Sequence, residues 1–228
     1  MKGLESKLSN YVPLVEFLGS VLGSHCEVVL HDVSNIESSI VAIKNSHVSS
    51  RKVGGSLTDL ALQILKEKSY LEKDFLINYS GKTKDGKVVR SSTFFIKDES
   101  GNVAGMLCIN MDVSTLVETR NHLEELIQGV SIAAPGGLNL EGKCLDAVVK
   151  PIEDLHTSIE DLTTSIIMKT LSEVEVPPDR MSPEEKMRVV QRLSEKGVFL
   201  IKGAVAEVAK HLKTSEATVY RYNSKIDQ

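Results

Sequence analysis

The 228-residue chain has no apolar run of the roughly 18 residues that a membrane span needs. Its opening residues, MKGLESKLSN, lack the charged-then-apolar order of a secretory leader. Both absences predict a cytoplasmic protein with no membrane partner. Cysteine is scarce: Cys26, Cys108 and Cys144 are odd in number and far apart, which argues against a disulfide framework and predicts reduced, structural thiols. Catalytic signatures are missing as well. There is no Gly-x-Ser-x-Gly elbow and no His-Glu-x-x-His pair, and Lys52, Val53, Gly54 and Gly55 lack the Gly-Lys-Ser/Thr ending of a phosphate loop. His25, Cys26, Glu27, His31, Asp32 and His47 do not follow a metal-ligand spacing. No enzyme, no metal and no cofactor is expected.

The sequence also lacks a strong charge of either sign. Its formal net charge of −4 argues against a protein coated in nucleic acid. The charge is unevenly divided, however: from Pro178 onward ten Lys and Arg stand against seven Asp and Glu, while the remainder carries 17 basic and 24 acidic residues. A weakly basic tail on an acidic body suits a selective binder that acts as a homodimer.

The most specific signal lies in that tail. The segment VAEVAKHLKTSEATVYRY over 205–222 has the pattern of a helix-turn-helix, with small Ala209 where two helices approach and Lys213 at the tight turn, where positive φ favours glycine. Ser215 suits an N-cap for the second helix. Val208, Leu212, Val219 and Tyr222 are the apolar contacts that hold the pair on a third helix. With the second helix in a major groove, Glu216, Ala217, Tyr220 and Arg221 would face base edges or phosphates beside Ser215, and Thr218 and Lys225 would reach the flanking backbone. Arg221 is the foremost candidate, because its fork of donors suits guanine or a phosphate oxygen. The competing reading is that the same spacing makes two packed helices of an ordinary bundle.

Upstream, residues 11–112 mix helical and strand patterns. Tyr11, Leu14, Val15, Leu18, Val21 and Leu22 repeat at helical spacing up to Gly23. Strands are predicted at 26–31 and 39–45, and a helix at 57–68 capped by Ser56 or Thr58. Further strands are predicted at 75–80, 88–97 and 103–111, the last two joined by the turn-forming loop 98–102. This order predicts an α+β chain: a PAS-like or GAF-like five-stranded antiparallel sheet with helices gathered on one face, followed by an all-α domain. A helix over 114–128 with Leu116, Leu123 and Ile127 on one stripe either pairs in a dimer or packs on the sheet. The expected division is a sensor domain over 1–128, a linker over 129–157 rich in glycine, and a helix-turn-helix domain over 158–228. Within the last, Ser182, Pro183 and Glu185 announce a helix through a capping box.

The space between such a sheet and its helices commonly holds a small molecule. His31, Asn45, His47, Arg51, Arg90, Ser92, Cys108 and Asn110, near the ends or inner faces of the predicted strands, are the candidates to line it. For each of them alone, a solvated or hydrogen-bonded structural role is the plainer alternative.

The chain resembles the YheO-like family of bacterial transcriptional regulators. The likeness is carried by Leu30-His31-Asp32, by SIVAIKNSHVSSRKVGGSLTDLAL over 39–62, by GKVVRSSTFFIKDESGNVAGMLCINMD over 86–112 and by EKGVFLIKGAVAEVAKHLKTSEATVYRY over 195–222. It departs from the family pattern at Ser46 and Ser50, where glycine is common, and at Lys213. The resemblance implies an N-terminal YheO-like PAS domain, a C-terminal helix-turn-helix, double-stranded DNA as partner and no enzymatic activity. The resemblance also implies a repressor with a small, amino-acid-like effector. The alternative from another class is a ligand-binding module that works through protein partners without DNA, whose binding would respond little to salt.

Overall fold

The computed structural model describes residues 8–127, 153–156 and 158–224. Helix α1 (Val12–Leu22) begins with a proline in its first turn and ends at Gly23, whose φ is +89°. Strands β1 (Cys26–Asp32) and β2 (Ile40–Lys44) follow, then helix α2 (Asp59–Glu67), capped by the Thr58 hydroxyl, which accepts the Ala61 N–H. Strands β3 (Phe75–Thr83), β4 (Val88–Lys97) and β5 (Val103–Asp112) form an antiparallel meander. The turn between β4 and β5 is fixed by the Asp98 carboxylate, which accepts the Ser100 and Asn102 N–H groups at 2.9 Å each. Ser50 lies in the left-handed region at φ +62°, a conformation that glycine adopts without strain.

The sheet differs from expectation in two ways. Among the described residues it has six strands, in the order β2-β1-β5-β4-β3-β6. The sixth, β6 (Glu153–Leu155), lies in the stretch read as linker and pairs parallel to β3. A three-residue strand has no period to detect, so nothing in the sequence marked it. The helices also cover both faces rather than one. Leu8 and α1 pack on Val28, Leu30, Ala42 and Leu107, while α2 packs on Val29, Ile40, Phe95 and Met106 opposite. The consecutive apolar residues Val28, Val29 and Leu30 already mark β1 as a strand buried on both sides.

Helix α3 (Ser114–Ile127) has no buried residue, and Leu116, Leu123, Leu126 and Ile127 are exposed. It therefore does not pack its apolar stripe on the sheet. Among the described residues no helix is long and apolar enough to cross a membrane.

The C-terminal bundle comprises α4 (Ile159–Ser172), α5 (Pro183–Glu195), α6 (Ala204–His211) and α7 (Glu216–Ser224). The capping box at the start of α5 is complete, with the Ser182 N–H donating to Glu185 and the Glu185 N–H to the Ser182 hydroxyl. Leu162, Ile167, Val190, Leu193, Val208, Leu212 and Val219 fill the core, and one member of that core, Leu62, comes from α2 of the N-terminal unit. The two units thus share buried apolar area, which favours their staying together.

Candidate nucleic-acid interface and buried polar cluster

Helices α6 and α7 form the turn-linked pair, with Ala209 buried at their approach. Lys213 lies at φ +49° between them, and its carbonyl accepts the Lys186 ammonium at 3.4 Å. The Ser215 hydroxyl accepts the Thr218 N–H at 3.3 Å and shares a hydrogen bond with the Thr218 hydroxyl at 2.9 Å, which fixes the start of α7. Val219 and Tyr222 face the core. Helical spacing then turns Ser215, Glu216, Ala217, Tyr220 and Arg221 outward, all exposed, with Thr218 half-buried. The Arg221 guanidinium lies 5.5 Å from the Tyr222 ring centroid, a contact that steadies the fork without consuming its donors. Lys225 falls outside the described residues.

The second site is a polar cluster inside the N-terminal unit. On β4 and β5 the pairs Ser91–Asn110 and Thr93–Cys108 sit directly opposite each other and point to the α2 side. Ser91 donates to Asn110 Oδ1 at 2.9 Å, and Asn110 Nδ2 donates to Glu27 Oε1 at 2.9 Å. Glu27 also accepts the Ser49 hydroxyl at 2.5 Å. Thr93 Oγ1 lies 3.2 Å from the Cys108 sulfur and 2.7 Å from the Tyr79 hydroxyl. Arg51 donates to the Ser56 carbonyl, and Glu153 accepts the Thr58 hydroxyl at 2.6 Å. Arg51 and Glu153 are only 2% and 4% exposed.

Burial dominates the ionisation of this cluster. It pushes the Glu153 carboxyl up to about 7, against the lowering effect of the Thr58 hydrogen bond, and raises Glu27 against its bonds from Ser49 and Asn110. Burial, followed by the Arg51 charge, holds His31 well below the usual imidazole range, so the ring is neutral and bonded to Ser39 at 2.8 Å. The Cys108 thiol is driven up to about 12, chiefly by burial. A thiol held protonated is a poor nucleophile.

Of the eight residues expected to line a pocket, His31, Arg51, Cys108 and Asn110 are buried on this side. The other four lie elsewhere. Asn45 Nδ2 ties down the Gly19, Gly23 and Cys26 carbonyls, a structural role. His47 is exposed, with its carbonyl accepting Lys87. Arg90 and Ser92 have the opposite strand parity from Ser91 and Thr93 and sit on the other face: Arg90 is exposed beside the Met111 sulfur, and the Ser92 hydroxyl accepts the Asn78 N–H. Alternation along β4, combined with the pairing fixed by its hairpin, would have selected Ser91 and Thr93 instead. Glu27, Ser49, Thr58, Tyr79 and Glu153 also went unselected, and Glu153 carried no signal at all.

At the junction of the two units, Asp59, Asp154 and His156 offer ligand atoms within 4.8 Å of one another. Lys169 of α4 bridges both carboxylates. Burial works against its charge, yet the Asp154 hydrogen bond and the two carboxylates raise its pKa overall. That ammonium already supplies the positive charge a cation would bring.

A family profile described as a YheO-like PAS domain matches residues 2–128, and another described as an HTH domain matches residues 162–222. The chain is 31% identical over 215 residues to the Escherichia coli (strain K12) protein named YheO, covering 94% of this chain and 82% of that one. It is 23% identical over 224 residues to the transcriptional regulator DauR of Pseudomonas aeruginosa, covering 98% and 96%. Among solved structures it is similar to a sensory box histidine kinase/response regulator from Burkholderia thailandensis E264, with 15% identity, a TM-score of 0.34, and coverage of 49% of this chain and 95% of that one.

Proposed function

From the premise that the chain belongs to the YheO-like PAS family, here joined to an HTH domain, we propose that it is a sequence-specific, DNA-binding transcriptional regulator whose PAS domain senses a small molecule or partner. The observation that carries this reading is the outward face of α7. Ser215, Glu216, Ala217, Tyr220 and Arg221 are exposed while Val219 and Tyr222 anchor the helix from beneath, so the helix is a rigid probe of a size that fits a major groove. The whole-length relative DauR, a transcriptional regulator by name, supports the same reading.

A helix-turn-helix with few basic residues holds DNA weakly alone, so the working species is a homodimer on a pseudo-palindromic site. The exposed leucines of α3, and the apolar sheet surface of Phe75, Ile77 and Phe94, are faces that such a dimer has available. A regulator of this kind acts in the cytoplasm, where its DNA is. The test is retention of promoter fragments by the full chain at low salt, with affinity falling steeply as salt rises. No retention, or retention indifferent to salt, defeats the reading.

A further inference from the structure

We propose that the buried polar cluster of the PAS domain is a carboxylate-binding site which the chain fills with its own Glu153, so that a small carboxylate acts by taking the place of β6. This rests on the sensing role assigned to the domain above. Glu153 is a carboxylate inside a protein core, delivered by a strand of three residues. Its neighbours offset part of the cost of burying an anion there, although burial outweighs them: the Thr58 hydroxyl donates to one oxygen at 2.6 Å, and the buried Arg51 charge acts in the same direction. The Tyr79 hydroxyl is close enough to lower its pKa.

The fit of Glu153 is incomplete on both sides. Its Oε2 has no hydrogen-bond partner, and neither do Arg51 Nε or Ser56 Oγ, although all three atoms are buried. Two carboxylate oxygens can accept about four hydrogen bonds, and a guanidinium edge donates two in parallel to a well-placed carboxylate. As placed by β6, Glu153 leaves one of its own oxygens and the Arg51 Nε unpaired. A free carboxylate is not so restrained, and buried donors left unmade favour whichever anion satisfies them.

Among the described residues β6 is a short strand: its ladder to β3 runs from Gly81 to Thr83, and its one buried apolar side chain, Leu155, packs with Val48 and Val89. The next residue, Asp154, donates its N–H to Asp59 at 3.0 Å and pairs with Lys169 of α4, and α4 begins at Ile159. Withdrawal of Glu153 therefore moves the residues that link the PAS domain to the first helix of the DNA-binding bundle. That contact change gives the ligand a differential affinity for two states, which allosteric coupling requires.

Full-length Glu153→Ala and wild type are compared by thermal unfolding in sodium acetate and in sodium chloride at matched ionic strength. The expected result is a saturable, acetate-specific rise in Tm for Glu153→Ala, half-complete at a concentration at least tenfold lower than for wild type, as mass action requires of a vacated site. The further change Arg51→Met in that background abolishes the response. A Glu153→Ala chain whose Tm follows ionic strength alone overturns the proposal. If Glu153→Ala is unfolded in chloride, refolding by acetate supports the proposal. If acetate does not refold it, hydrogen exchange on wild type decides: faster exchange of the Asp154 and Leu155 amides in acetate than in chloride supports displacement, and unchanged exchange overturns it. None of these readouts uses DNA, so a chain that responds to acetate but retains no promoter fragment refutes only the regulator reading.

Discussion

Gly197 lies with its α-carbon against the backbone of Leu62: a β-carbon at position 197 would come within 2.8 Å of the Leu62 carbonyl oxygen. Gly197 also sits at φ +75°, where an L side chain is strained, so both its conformation and its neighbour demand glycine. This is where the turn after α5 meets α2 of the PAS domain, and Leu62 itself enters the core of the helical bundle. Gly197→Ala should lower the stability of the full chain by at least about 1 kcal/mol from the φ penalty alone, and by more because the clash is with backbone. Thermal unfolding checks this. An unchanged Tm would mean that the two units do not meet as described.

At Lys213 and Ser50 the same backbone preference acts in reverse. Both are non-glycine residues at positive φ, +49° and +62°. Lys213→Gly and Ser50→Gly should each stabilise by up to about 1 kcal/mol, less the entropy glycine adds to the unfolded chain. Chemical denaturation measures the gain. A loss at Lys213 would indicate that its side chain holds the turn in a way its φ does not reveal.

Arg221→Ala should weaken specific binding to a retained promoter fragment by about 1–3 kcal/mol if the guanidinium reads a base, with Tm unaffected because the side chain is exposed. A mobility-shift titration gives the affinity and a melt gives the stability. Equal affinities for variant and wild type would remove Arg221 from the readout.

Glu153 imposes a pH dependence whose sign follows from its burial. Folding raises its pKa from the ordinary 4.5 to about 7, so the folded chain holds that proton more tightly than the unfolded one. Its contribution favours folding fully below about pH 4.5 and is lost as pH climbs through 7, a change on the order of 3 kcal/mol. His31, held low, acts the opposite way, withdrawing stability as pH falls below 6.5. The comparison of wild type with Glu153→Gln isolates the carboxyl: the difference in stability between them should grow, in favour of the variant, from pH 5 to pH 8. A difference that does not vary with pH would show that Glu153 ionises normally.

Much of this architecture was legible in the chain because local chemistry agreed with tertiary structure. The β4–β5 hairpin announced itself through two β-branched, apolar runs around Asp98 and Gly101, and α5 through Ser182 and Glu185. The helix-turn-helix followed from Ala209, Ser215 and Val219 at fixed offsets. Parity is harder to read in the PAS domain: Arg90 and Ser92 look as chemically apt as Ser91 and Thr93, and only the strand alternation, anchored on Asn110 and Cys108 across the hairpin, separates them. Glu153 was out of reach. Its role arises from a contact with Thr58, 95 residues away, and a three-residue strand has neither period nor flanking turn to betray it.

The parallel pairing of β6 has a consequence for where this protein divides. Among the described residues it shields Gly81 to Thr83 of β3, and further along the outer margin Asn78, at φ +57°, interrupts the ladder where the register shifts, which makes that stretch a poor template for a stray strand. A fragment ending at residue 128 keeps the interruption but loses the shield, baring the backbone groups of β3 and leaving the Arg51 charge with one fewer counter-ion. The PAS domain therefore completes its sheet only after the chain has run past residue 128, where the family profile ends. Severed there, it is exposed to sticking to copies of itself.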